Sequence, residues 1–160
     1  MIVLVGFMGA GKTSVGRALA SALGVTFIDL DEAIETRAGT SIPEIFKRQG
    51  EAGFRDLESA VLAEELGGPG GVIATGGGIV ESDANRKMLF DHTVVFLDVY
   101  LERALERAGD GRGRPMLSLE DPAALFARRR PLYEEVADLV VEGDADVDHV
   151  VSDIRRGLAP

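Results

Sequence analysis

Eight residues near the start of the chain carry the clearest chemistry: Gly6-Phe7-Met8-Gly9-Ala10-Gly11-Lys12-Thr13. Glycine, four residues, then Gly-Lys-Thr is the spacing of a phosphate-binding P-loop. Its glycines let the backbone curl, so that N–H groups from Gly9, Ala10, Gly11, Lys12, Thr13 and Ser14 aim inward at an anion. Lys12 can reach the β- and γ-phosphates of a nucleotide, and the Thr13 hydroxyl can ligand Mg²⁺. The plain alternative is a glycine-rich turn that happens to precede a lysine. The flanking sequence argues against it, because the motif needs a strand before it and a helix after it. Ile2-Val3-Leu4-Val5 is a short β-branched run, and Val15, Ala18, Leu19 and Ala22 recur at helical spacing before Gly24.

Other chemical groups lie further along. Asp29 and Asp31 stand two apart at the end of the second apolar run. On a strand that spacing puts both carboxylates on one face, one toward a metal and one toward a second substrate. A pair of acids at a helix start explains them equally well. Arg55 and Glu58 are neighbours on a helix, and taken alone they read as a surface ion pair. Gly76-Gly77-Gly78 follows the third strand and allows backbone to approach a ligand closely. Residues 109 to 120 combine glycines with Arg112 and Arg114 ahead of Pro115, as a lid that delivers an arginine does, or as an exposed loop does. Of Arg128, Arg129 and Arg130, at least two must point away from any one site. His92 and His149 stand alone and read as structural.

The elements that must position these groups alternate. Strands are expected at 2–5, 25–30, 72–75, 93–97 and 139–141. Helices are expected at 14–23, 31–38, 42–49, 51–66, a short one after Ser82, 100–108, 122–137 and 147–158. Ser41-Ile42-Pro43-Glu44 has the capping-box pattern. Strands separated by helices imply a parallel sheet covered on both faces, with ligands beyond the carboxyl ends of the strands.

Composition bounds the function. A chain of 160 residues is one domain of ordinary size, and 46% hydrophobic with 28% charged residues is typical of a globular protein. The absence of cysteine excludes disulfides and thiolate metal sites. A net charge of −10 argues against a general nucleic-acid binder but not against an anionic small substrate held by local arginines. No signal peptide or membrane span is expected, which makes the cytoplasm the expected location.

Taken as a set, these motifs resemble the shikimate kinase family. The residues that carry the likeness are Gly6 to Thr13, Asp29 and Asp31, Gly50-Glu51 with Phe54-Arg55 and Glu58, Gly76 to Gly78, Arg114-Pro115-Met116-Leu117, and Arg129 with Pro131-Leu132-Tyr133. They span nearly the whole chain in the family's order. The resemblance implies a three-layer α/β P-loop kinase fold, with a five-stranded parallel sheet in order 2-3-1-4-5 and helices on both faces. It implies one domain with a substrate-binding insertion at about 31–58 and a lid at about 109–120. The implied reaction is transfer of the ATP γ-phosphoryl group to the 3-hydroxyl of shikimate, on the route to aromatic amino acids, by a monomer that needs Mg²⁺. Lys12 would hold the transferring phosphate, Thr13 and Asp29 would serve the metal, and Asp31 would bond the substrate hydroxyl. Arg55 and Arg129 would grip the carboxylate, and Gly76, Gly77 and Gly78 would pack against the hydroxyls. Arg114 would swing in on the lid, and Arg107 would lie against adenine. Met116 departs mildly from the family pattern, and the acidic stretch from Glu142 to Val147 lacks an arginine that some relatives carry. A gluconate kinase and a silent nucleotide-binding module are the other readings. The Phe54-Arg55 pair, the triple glycine and Arg114-Pro115 weigh against the first. The full complement of charged groups weighs against the second.

Overall fold

A computed structural model describes residues 1–109 and 120–159. Five strands form one sheet in the order β2-β3-β1-β4-β5, and every pairing is parallel. The strands are β1 Ile2–Val5, β2 Phe27–Asp29, β3 Val72–Ala74, β4 Thr93–Asp98 and β5 Leu139–Glu142. Seven helices among the described residues cover the two faces. They are α1 Lys12–Leu23, α2 Leu30–Ala38, α3 Ile42–Leu66, α4 Asp83–Leu89, α5 Leu101–Ala108, α6 Pro122–Val136 and α7 Val147–Gly157. A 3₁₀ turn, Ile79–Glu81, which the sequence pattern does not reveal, follows the triple glycine.

Central strands covered on both faces should be apolar throughout. Val3, Leu4 and Val5 on β1, and Val94, Val95 and Leu97 on β4, are fully buried. The register places Leu4 between Ala74 and Val95, so β1 occupies the middle of the sheet and the loop at its carboxyl end opens at the centre of that edge.

Local geometry departs from the sequence expectation in three places. The second strand covers Phe27–Asp29 rather than 25–30, because Leu30 already belongs to α2. The expected helices at 42–49 and 51–66 run together, yet Gly50 between them keeps a non-helical backbone (φ 69°, ψ −176°) that a β-carbon would disfavour. Ser41 precedes α3 but forms no side-chain cap. The Glu35 carboxylate of α2 instead accepts the Ile42 N–H at 2.9 Å, which ties the two helices together where the capping box was expected.

Candidate active site

A cleft of about 440 Å³ opens at the carboxyl edge of the sheet. Its lining brings together Lys12, Thr13, Asp31, Arg55, Arg107, Arg129 and the glycines at 76 to 78. The P-loop forms the floor. Gly11 precedes α1 in the left-handed conformation (φ 88°). No side chain caps that helix start and no acid lies in its first turn, so the positive helix end faces the cleft. The Ala10 N–H donates to Phe7 O at 3.1 Å, so Ala10 closes the loop's own turn. The ammonium of Lys12, 8% exposed, donates to Gly6 O at 2.7 Å and Phe7 O at 2.9 Å, which holds it across the loop. Gly9 lies under α5, where a β-carbon would fall 2.1 Å from Ala104 O.

Asp29 and Asp31 separate at the start of α2. They do not share a strand face, because Asp31 is the second residue of α2. Asp29 combines both readings offered by the sequence. One of its oxygens accepts the N–H groups of Asp31 at 3.1 Å and Glu32 at 3.4 Å as the α2 cap. The other accepts the Thr13 hydroxyl at 2.7 Å. Asp31 is exposed to the open cleft, with protein atoms crowding the inner side of its carboxyl. That crowding, followed by the charge of Asp29, raises its pKa; Lys12 and Arg55 oppose the rise.

The arginines come from distant elements. Arg55, on α3, donates to Glu58 at 2.7 Å. Glu58 is fully buried, so this is not the surface pair that spacing alone suggests. Burial raises the pKa of Glu58 against the pull of Arg55, and its second oxygen has no hydrogen-bond partner among the described residues. The Arg55 guanidinium lies flat against Gly78, where a β-carbon would sit 2.3–2.5 Å from its atoms. Arg129, on α6, is 1% exposed and lies beside Gly77. Of its neighbours only Arg130 points elsewhere, to Asp98 and Glu134, whereas Arg128 converges with Arg129 on Glu81 from the solvent side and also reaches Glu120. The Tyr133 hydroxyl, one turn beyond Arg129, donates to Gly77 O and fixes the glycine run. Burial raises the pKa of Tyr133.

Arg107 donates to Gly143 O at 3.0 Å and Asp144 O at 3.3 Å. The acidic segment Glu142 to Val147 is therefore fastened to the helix that covers the P-loop. Arg114 and the rest of the expected lid at 110–119 lie outside the described residues. Glu81, which contacts Arg55, Arg128 and Arg129, is marked by no spacing in the sequence. Nor does spacing mark the apolar wall of Ile42 and Phe46, because Phe46 meets Phe54 across the break at Gly50.

Three comparisons bear on what this cleft is. The family model described as shikimate kinase matches residues 8–159. The shikimate kinase of Halorhodospira halophila is 53% identical over 146 residues, covering 88% of this chain and 82% of that one. That of Pseudomonas fluorescens is 49% identical over 164 residues, covering 99% and 95%. Among solved structures, the shikimate kinase of Acinetobacter baumannii in complex with shikimate superposes with a TM-score of 0.93 at 41% identity, covering 97% of this chain and 90% of that one. A gluconokinase from Sinorhizobium meliloti shares the fold at a TM-score of 0.61, but only 20% identity, with 98% and 90% covered.

Proposed function

The chain belongs to the shikimate kinase family, and from that premise we propose how its residues divide the transfer of the γ-phosphoryl group of ATP to the 3-hydroxyl of shikimate. Gly9, Gly11, Lys12, Thr13 and Ser14 cradle the phosphates at the start of α1, with Ala10 closing the turn. Lys12 lies against the transferring phosphate and offsets the charge that spreads over its equatorial oxygens. Thr13 and Asp29, linked at 2.7 Å beside this nest, are adjacent hard oxygen donors, a fit for Mg²⁺, which kinases hold through one or two protein groups plus phosphate and water. When bound, Mg²⁺ supplies charge neutralisation and orientation of the phosphates.

Asp31 accepts the hydrogen bond of the attacking hydroxyl. Its upward-shifted pKa makes it a better proton acceptor than an ordinary aspartate. Arg55 and Arg129 hold the carboxylate with planar forks, and Gly76, Gly77 and Gly78 let the ring approach the backbone. Arg107 contacts adenine from the α5 side, and Arg114 completes the phosphate contacts. Helix α2 and α3 as far as Glu58 act as the substrate-binding insertion at about 31–58, and 109–120 acts as the lid. The cleft is built from one chain, and the enzyme works as a cytoplasmic monomer that binds neither nucleic acid nor membrane. Among the described residues no helix is long and apolar enough to cross a membrane.

The observation that supports this division most is the meeting of Asp31, Arg55 and Arg129 in one cleft with the P-loop lysine. A coupled assay of ADP release over a panel of hydroxy acids tests it. Turnover with shikimate and none with gluconate is expected. Preference for gluconate would overturn the substrate reading.

A further inference from the structure

Glu81 lies behind the two arginines rather than in the cleft. Its Oε1 is 3.3 Å from Arg129 Nε, and Arg129 donates to its Oε2 at 3.3 Å. Arg55 lies 3.6 Å from the same Oε2. On the solvent side Arg128 donates to Oε1 at 2.7 and 3.2 Å. One carboxylate from a 3₁₀ turn thus meets guanidinium groups from α3 and α6, elements joined by no other ion pair at this point among the described residues.

The turn itself is fixed. Asn85 donates to Ile79 O at 3.0 Å and Arg86 to Val80 O at 2.6 Å, so side chains of α4 hold both carbonyls that precede Glu81. Ser82 directly after it caps α4, accepting the Asn85 N–H at 3.3 Å. Burial would raise the Glu81 pKa, but hydrogen bonds from Arg129 and Arg128 outweigh that and hold its carboxyl below the usual range. At neutral pH it is an anion.

Two guanidinium groups aimed at one point repel each other, and Arg129 is too buried for water to screen the repulsion. We infer that Glu81 is a positioning residue for carboxylate recognition: it stands outside the cleft lining and anchors Arg129 and Arg55, which both line the cleft. This rests on the assignment of Arg55 and Arg129 to the substrate carboxylate. Without the anion, Arg129 would turn to another acceptor. One such acceptor is the unpartnered oxygen of Glu58, whose charge Arg129 already senses, and that turn would carry its fork off the common point.

The test is calorimetric titration of shikimate, shikimate methyl ester and ATP into the parent enzyme and Glu81→Gln, with thermal unfolding as a check on folding. The parent should bind shikimate more tightly than the ester. In Glu81→Gln, shikimate affinity and its KM should each worsen about tenfold, the low end of what losing an outer partner costs a metal ligand. Ester binding, ATP binding and kcat should stay within twofold. If the parent discriminates and Glu81→Gln discriminates equally, Glu81 has no part in carboxylate recognition and the arginine assignment survives. If the parent itself fails to discriminate, the arginine assignment falls and this inference with it. A uniform loss for all three ligands would make Glu81 merely structural and overturn the inference.

Discussion

Asp29 holds two structures together with two different oxygens, and substitution can separate them. One oxygen caps α2 through two N–H groups at 3.1 and 3.4 Å, and the other accepts the Thr13 hydroxyl at 2.7 Å. Asparagine caps helices about as well as aspartate. Its single carbonyl can therefore keep the cap, and an amide nitrogen then faces Thr13 and the metal side. The lost charge weakens the interaction with the α2 dipole by about 0.3–1 kcal/mol. Removing the repulsion that Asp29 exerts on Asp31 offsets part of this. Asp29→Asn should thus melt within a degree or two of the parent. Asp29→Ala loses the cap entirely, about 1 kcal/mol, which in a domain of this size lowers Tm by about 2–4 °C. Both variants lose the oxygen beside Thr13, so both should need more Mg²⁺ for half-maximal turnover. The assay pairs thermal unfolding with turnover across a Mg²⁺ series. Equal destabilisation by Asn and Ala, or an unchanged Mg²⁺ requirement in both, would refute the two-oxygen reading.

Lys12→Ala should leave a folded protein with turnover down at least a hundredfold, the usual cost of removing a preorganised charge at the reacting group; turnover within a few-fold of the parent would remove Lys12 from the chemistry. Asp31→Asn should cut turnover even at saturating Mg²⁺, and rescue by extra Mg²⁺ would mean that the roles of Asp29 and Asp31 are reversed. The same variant should be more stable than the parent at pH 7. The folded-state pKa of Asp31 is raised, so its ionised form costs stability above that pKa, and the cost fades as pH falls toward the ordinary value of 3.8. Unfolding curves at pH 7 and below pH 4 check this, and a gain that persists in acid would contradict it. Gly78→Ala should push the Arg55 guanidinium off its seat and weaken shikimate about tenfold while ATP binding holds; titration of the two ligands decides.

Local signals served well where a short stretch has only one use. The P-loop, the helix stops at Gly24 and Gly39 and the apolar central strands are of this kind. They failed where a distant group supplies the contact. Ser41 reads as a helix cap but forms no side-chain cap, and the tie at this helix start is the Glu35 carboxylate on the Ile42 N–H. Asp29 and Asp31 read equally as a strand-face pair or as a helix start, and the Asp29 carboxylate decides for the helix by starting α2 one residue earlier than expected. The Arg55–Glu58 pair reads as a surface contact at helical spacing, and only the tertiary packing that buries Glu58 turns it into part of the cleft. Glu81 sits in a turn with no periodicity, and its three partners lie 26 to 48 positions away, so no window of sequence contains the interaction.

The central claim is that the fold brings Arg55 and Arg129 to one substrate carboxylate beside Asp31. Calorimetric titration of shikimate and ATP into Arg55→Ala and Arg129→Ala tests it most directly. A charge-assisted contact to a carboxylate contributes about 1.5–3 kcal/mol, so each variant should lose about ten- to a hundredfold in shikimate affinity. Lysine at either position should recover only part of that, and ATP affinity should barely change. Unchanged shikimate affinity in both alanine variants would contradict the claim and reopen the choice of substrate.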